Sequence, residues 1–439
     1  MLRLNWLKRN ILSLRQSDQN AALAFAGNIL RLALTFATSV ITARLISQES
    51  YGQLMLLLGW GYLLYPLMSL GFDHSLIHFH SESKRISQAA LLDSVFRFAI
   101  QGSIVVFGII VIAGIAMSLI LDPLGRYAEW RYPVVLLMLH MELWALGSIA
   151  VGLLRAHKDF KPGVIRESVL FPLLLLGSFL SLINQGHSGI TAYCISLALA
   201  TAISTGYLFW YVHRSGRLTV RQSESGTPIY SLRQRLAWGL HSFPNGCMGS
   251  LDLLIFWMPI LVLGWHSPAS EVASLAVCMR LGQLCHLGTV AIAPIAAPYL
   301  SDAWLLGRLV FNRAIGRFAL QAGGAAICAA VVVVLLRNPL LALFGDAYTS
   351  SGILLIIVVF GFVVEAFLSP VRQALVALGN NRANMIFSAA SILAIYLAAL
   401  LLIAPYGAVG AALSMVIGTL VGAAGRLYWL LGIEHRRLS

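Results

Sequence analysis

The chain has 439 residues, of which 59% are hydrophobic and only 11% charged, and its mean hydropathy is +0.83. Soluble domains carry about 25% charged residues, so this composition excludes a soluble globule and defines a polytopic membrane protein. The formal net charge of +13 lies in short loops, a pattern that orients helices in a membrane rather than one that binds nucleic acid.

In chain order, residues 1–20 form a basic segment without the small-residue cleavage site of a secretory leader. Leu4, Leu7, Ile11 and Leu14 share a face opposite Arg3, Lys8 and Arg15, which predicts a short helix on the cytoplasmic membrane surface. Windows of about 20 apolar residues then mark twelve spans. They fall near 21–45, 53–72, 95–120, 132–154, 164–183, 189–212, 237–264, 271–299, 315–336, 351–375, 384–404 and 407–431. Alternating ten-residue strands are missing, so the spans are helices rather than barrel strands.

The basic residues set the orientation. One side of the membrane receives Arg44, Arg126, Arg131 and Arg337; Arg31 and Arg280 lie inside spans, and every other Lys and Arg is assigned to the opposite side. The excess places both termini in the cytoplasm. The longest polar stretch, 213–236, divides the chain into two blocks of six spans, 21–212 and 237–431, with 432–439 as a cytoplasmic tail. An even number of spans per block means both halves enter the membrane in the same sense, a parallel pseudo-repeat. Residues 47–54 and 268–275 echo each other, each following a first helix with a polar stripe. The fold class read from the sequence is an all-α polytopic membrane protein of about twelve transmembrane helices in two six-helix blocks.

The first helix of each block carries the signals for function. Asn28, Arg31, Thr35, Thr38 and Thr42 step by three and four residues and so share one helix face. An arginine at mid-depth costs about 2.5–3.5 kcal/mol on insertion scales, so something inside the protein must favour its charge. Arg280 is the second such arginine, and Asn28 and Gln283 stand one turn from Arg31 and Arg280. Two arginines from opposite halves suit an anionic substrate, because guanidinium matches phosphate oxygens in paired hydrogen bonds. A structural pairing of either with Asp252 is the alternative. Asp252 and Glu365 are candidates for a coupling-ion site or for hydrogen-bonded packing positions. Glu365, Ser369 and Arg372 share a face. Glu142 has apolar neighbours one turn away and is the weaker case.

Chemistry of other kinds finds no support. The five cysteines (Cys194, Cys247, Cys278, Cys285, Cys328) lie in apolar spans without metal-ligand spacing. A phosphate-binding nucleotide loop, a nucleophile elbow and a paired-carboxylate motif are all missing, as is a large external loop for an acceptor. The sequence therefore points to a non-enzyme with no catalytic residues, cofactor or metal.

Ala43-Arg44-Leu45-Ile46-Ser47-Gln48-Glu49-Ser50-Tyr51-Gly52, followed by Ser69-Leu70-Gly71-Phe72-Asp73-His74-Ser75-Leu76-Ile77-His78-Phe79, resembles the start of bacterial polysaccharide and O-antigen flippases of the Wzx type. In those proteins the first helix ends A-R-L-L-G-P-x-x-Y-G and the second G-L-x-x-x-L-x-R-F. Here Ser47-Gln48 replaces Gly-Pro and His78 stands at a commonly basic position; Gly379-Asn380-Asn381-Arg382 is similar to a later turn. The resemblance implies the multidrug/oligosaccharidyl-lipid/polysaccharide exporter superfamily, and with it two six-helix lobes around a central cavity. It further implies alternating access that carries an undecaprenyl-pyrophosphate-linked oligosaccharide, such as a lipopolysaccharide O-antigen repeat unit, from the cytoplasmic to the outer leaflet of the bacterial inner membrane. Arg31 and Arg280 lie on helices matching those that supply cavity cations in similar flippases. Membrane lipids, a polysaccharide polymerase and glycosyltransferases are the partners implied, with no role for nucleic acid. A multidrug exporter of the same fold, or a non-transporting membrane subunit of a polysaccharide synthase complex, are the alternatives.

Overall fold

A computed structural model describes Leu23 and residues 26–85, 89–121, 128–216 and 230–438. The predicted surface helix in residues 1–20 and most of the 213–236 linker lie outside the described residues. Among those described, the regular structure is helical throughout.

In chain order the helices are α1 (Ala26–Leu45), α2 (Gln48–Ser69), α3 (Phe72–Arg85), α4 (Ala89–Leu121), α5 (Ala128–Ala156), α6 (Lys161–Asn184) and α7 (Gly189–Arg214). There follow α8 (Leu232–His266), α9 (Ala269–Gly282), α10 (Leu287–Leu306), α11 (Arg308–Leu335), α12 (Arg337–Ala342), α13 (Gly352–Ala377) and α14 (Asn381–Leu438). Nine of the described helices are long and apolar enough to cross a membrane, or ten with α8 taken as one bent span. Residues 381–433 contribute a single count of 53 residues, about 80 Å at the rise of an α-helix and far more than one ~30 Å hydrocarbon layer. The stretch is two helices that meet at Gly407, where φ is 55° and ψ −131°. With α9 and α10 read as one further span, the described helices give the twelve expected, and the last helix continues to Leu438 through the predicted tail.

The chain forms two compact units. The first holds the described residues up to Thr38 together with Gly61–Ser250; the second holds Ser39–Trp60 and Leu251 onward. In the first unit, Phe72, Leu76 and Phe79 of α3, Val95 and Phe96 of α4, Ile149 and Leu153 of α5 and Leu208 of α7 form one buried cluster. In the second, Ala296 and Leu300 of α10, Phe311 of α11, Ala374 and Leu375 of α13 and Leu430 of α14 do the same.

The motifs that carry the family resemblance are built into these units as joints. Arg44 reaches the last carbonyls of α12, Nε to Leu343 at 2.6 Å and Nη2 to Ala342 at 2.9 Å, satisfying acceptors that a helix end leaves open. Ser47 caps α2 by accepting the Ser50 N–H at 3.2 Å, so serine supplies at this turn an N-cap that a Gly-Pro pair would not. Tyr51 is buried with its ring edge-on to Tyr348. Gly52 lies so near the Ala269 carbonyl that any Cβ would overlap it. Gln48 donates to the Ser270 carbonyl at 3.2 Å and the Ser274 hydroxyl at 3.1 Å. The two sequence-similar turns, 47–54 and 268–275, thus pack directly on each other within the second unit.

Gly71 breaks the span between α2 and α3 with φ 74°. A Cβ there would overlap the Ser242 carbonyl and the Gly246 nitrogen of α8, so glycine is required both for the turn and for the close approach of backbones. Asn245 reinforces this crossing by donating to Ser75 Oγ at 2.9 Å.

A polar cavity in the second unit

The span formed by α9 and α10 is interrupted by one 3-10 turn, Gln283–His286. Side chains three apart eclipse each other in that geometry, so Gln283 and His286 emerge on the same side and line a cavity of about 390 Å³. α13 supplies Glu365, Ser369 and Arg372, which sit four and seven residues apart on one helix face. The second arm of α14 supplies Thr419 and Arg426, and its first arm Ser391. Apolar walls come from Ile255, Phe256, Phe362 and Met415.

The charges inside are organised. His286 Nδ1 stands 3.5 Å from Glu365 Oε2. Arg426 donates through Nη2 to Ser388 Oγ at 2.7 Å, which fixes the guanidinium at the wall. The backbone of Arg372 is tied to α14 by Asn384, whose amide donates to the Arg372 carbonyl at 3.3 Å. Ser369 donates to the Ala366 carbonyl at 3.1 Å, one turn before Pro370, where the helix ladder lacks an N–H. Among the described residues, two guanidinium groups and one imidazole thus face one carboxylate in this space, a set of donors that favours an anionic or hydroxyl-rich guest.

The residues singled out from the sequence fall as follows. Gln283 and Glu365 line this cavity together. Arg280 donates to Gln283 Oε1 at 3.0 Å and so orients the Gln283 amide, without itself lining the cavity. Arg31 donates to Asn28 Oδ1 at 3.3 Å on α1 in the first unit, and Arg31 is exposed. Asp252 belongs to α8, but its side chain lies outside the described residues. Glu142 is buried and accepts from Ser103 Oγ at 3.1 Å.

Three cations make contacts that a count of loop charges does not reveal. Arg372 and Arg426, counted with the cytoplasmic cations although they fall within the predicted spans 351–375 and 407–431, both line the cavity. The signal was available, since Arg372 already shared a face with Glu365. Arg166, assigned to the same side, is fully buried in the first unit on a π-turn, Arg166–Leu170. Its guanidinium lies 4.3 Å from the Trp144 ring and donates to Thr205 Oγ1 at 3.3 Å. His286 carries no sequence signal beyond its position three residues after Gln283.

Solved membrane transporters share this fold. The chain is similar to an inward-facing multidrug resistance MATE family transporter of the MOP superfamily, with a TM-score of 0.75 and 14% identity over 95% of this chain and 99% of that one. It is also similar to the lipid II flippase MurJ in an inward closed conformation, at 0.73 and 15% over 93% and 87%. A MOP superfamily transporter from Pyrococcus furiosus, described as having a binding pocket of reverse polarity, matches at 0.67 and 14% over 94% of each chain. The fold is therefore the one these transporters share. The sequence pattern of the family described as "Polysaccharide biosynthesis protein" matches residues 17–304, and the chain belongs to that family. No curated protein matches it by sequence.

Proposed function

We propose that this protein is a flippase that moves a lipid-pyrophosphate-linked oligosaccharide from the cytoplasmic to the outer leaflet of the bacterial inner membrane by alternating access. It is a transporter rather than an enzyme on this reading, and both termini face the cytoplasm, as the bias of loop cations favours. The observation that carries it is the cavity in the second unit, where Arg372 and Arg426 supply guanidinium groups beside the hydrogen-bonding Gln283, Ser391 and Thr419. Guanidinium forks match pyrophosphate or acidic-sugar oxygens, and the amide and hydroxyl groups suit sugar hydroxyls. Arg31 with Asn28, and Arg280 with Gln283, are further candidate contacts for the anion. Glu365, paired with His286, and Asp252 remain the candidate carboxylates for ion coupling or for structure.

A drug exporter of the same fold would receive organic cations and would need a cavity dominated by carboxylates. Among the described residues Glu365 is the one carboxylate on this wall, and an imidazole sits against it. A non-transporting synthase subunit would have no need for the cavity cations.

The test is to replace Arg426 and Arg372 singly by Ala and by Lys and to read which leaflet holds the lipid-linked sugar with a periplasmic-side probe. The expected result is cytoplasm-facing lipid-linked intermediate accumulating in the Ala variants, with partial recovery in Lys. Normal outer-leaflet sugar in a strain lacking the protein would overturn the function; normal transport in both Ala variants would overturn the site.

A further inference from the structure

The ends of α6 and α7 in the first unit form a second groove, of about 480 Å³, separate from the residues assigned above. Its cations are Lys161, the first residue of α6, and Arg214, the last residue of α7; both are exposed. Among the described residues, neither has a carboxylate partner within ion-pair distance and no carboxylate lines the groove. The nearest acidic group along the chain, Asp159, is engaged by the Tyr211 hydroxyl, which donates to Oδ2 at 2.9 Å.

The walls are aromatic. Tyr207, Trp210 and Tyr211 occupy the last two turns of α7, and Pro162 and Ile165 of α6 complete the floor. The Arg214 guanidinium sits 5.3 Å from the centre of the Trp210 ring, a cation–π contact that holds it at the groove. Aromatic rings and basic heads at the ends of membrane helices mark the depth of lipid headgroups.

A stripe on α7 continues from that site into the apolar part of the helix. Leu199, Ile203, Gly206 and Trp210 follow at helical spacing, with Leu199 47%, Ile203 53% and Trp210 54% exposed. Gly206 has open space where a side chain would stand. One strip of surface is therefore charged at its end, aromatic next and apolar beyond, which is the polarity profile of an anionic phospholipid. A free phosphate would engage the cations and leave the aromatic wall and apolar strip unused.

We propose that this groove binds the phosphate headgroup of an anionic membrane phospholipid between Lys161 and Arg214, with the glycerol against Trp210 and an acyl chain along Leu199, Ile203 and Gly206. The lipid is a resident ligand here, distinct from the transported molecule and independent of the flippase reading.

The full-length protein in detergent, titrated with phosphatidylglycerol, phosphatidylcholine or inorganic phosphate, tests this by native mass spectrometry and thermal melting. A basic residue near anionic headgroups contributes about fivefold in binding, so Lys161→Ala/Arg214→Ala should lower phosphatidylglycerol retention about 25-fold and abolish its stabilising effect. Arg233→Ala/Arg235→Ala removes the same charge from exposed positions on α8 and should leave retention unchanged. Trp210→Leu, which keeps both cations, should weaken retention by a smaller factor and guards against misfolding of the double variant. Equal retention by wild type and both groove variants overturns the proposal, as does equal loss in the α8 control. Stabilisation by inorganic phosphate or phosphatidylcholine to the same extent as by phosphatidylglycerol also overturns it.

Discussion

Replacement of Arg44 by Ala is the sharpest test of how the shared A-R-L segment works. In the structure, Arg44 is a joint rather than a substrate contact: two of its nitrogens bond the Leu343 and Ala342 carbonyls at 2.6 and 2.9 Å. Each hydrogen bond from a charged group contributes about 1.5–3 kcal/mol where water is excluded. Arg44 is exposed, and solvent competition reduces such contributions several-fold, which leaves about 1–2 kcal/mol for the two together. A change of 1 kcal/mol shifts Tm by roughly 2–4 °C in domains of about 150–250 residues, so Arg44→Ala should melt about 2–8 °C below wild type in detergent. The planar fork reaches two carbonyls at once, whereas an ammonium is a point donor; Arg44→Lys should therefore recover about half of the loss. Because Arg44 does not line the α13/α14 cavity, transport at permissive temperature should persist in both variants. An unchanged melting point for Arg44→Ala, or full rescue by Lys, would refute the joint.

Three further outcomes follow from close packing and buried polarity. Gly71→Ala forces a Cβ onto the Ser242 carbonyl at a φ of 74° and should collapse the folded yield in size-exclusion profiles; a wild-type profile would refute the crossing. Gly407→Ala adds a side chain to a conformation only glycine adopts easily and pushes aside Glu271, whose carboxylate accepts the Ala408 N–H at 2.9 Å. It should cost more stability than Glu271→Gln, which keeps an acceptor at the same helix start, and equal melting points would count against this. Ser103→Ala strips the buried Glu142 of a hydroxyl donor, with an expected loss of about 1–3 kcal/mol. A Ser103→Ala/Glu142→Leu double-mutant cycle should show coupling, and strict additivity of the two changes would reject the pair.

What the sequence made readable, and what it hid, divides along a physical line. Hydropathy and helical period report how deep a residue lies and which neighbours share its own face, and on that basis the twelve spans, the break near Gly407 and the shared face of Glu365, Ser369 and Arg372 all follow. Neither quantity reports which other helix a face meets. In sequence Arg44 looks like a loop cation because its acceptor at Leu343 lies 299 positions further along the chain. Arg166 looks the same, since its burial depends on a π-turn and on Trp144 and Thr205 from two other helices. Arg426 lies inside a predicted span, but its partner Ser388 is 38 residues away.

The same line explains why the resemblance located joints better than it located the cavity. Arg44, Tyr51, Gly52 and Gly71 each depend on one backbone geometry: a helix end, a buried ring edge, a carbonyl in contact, a positive φ. Such requirements admit one or two residue types, so they leave a recognisable string of letters. A cavity that receives a flexible anion requires only that enough donors converge. Gln283 and His286 reach it from a 3-10 turn, Glu365 and Arg372 from one helix and Arg426 from another, and many other assignments of the same donors would serve. Charge held at a wall by Ser388, and a carboxylate held against His286, are therefore properties of the assembled unit. Variants should obey the difference: exchanging donors between cavity walls should be tolerated more often than any change at Gly71 or Arg44.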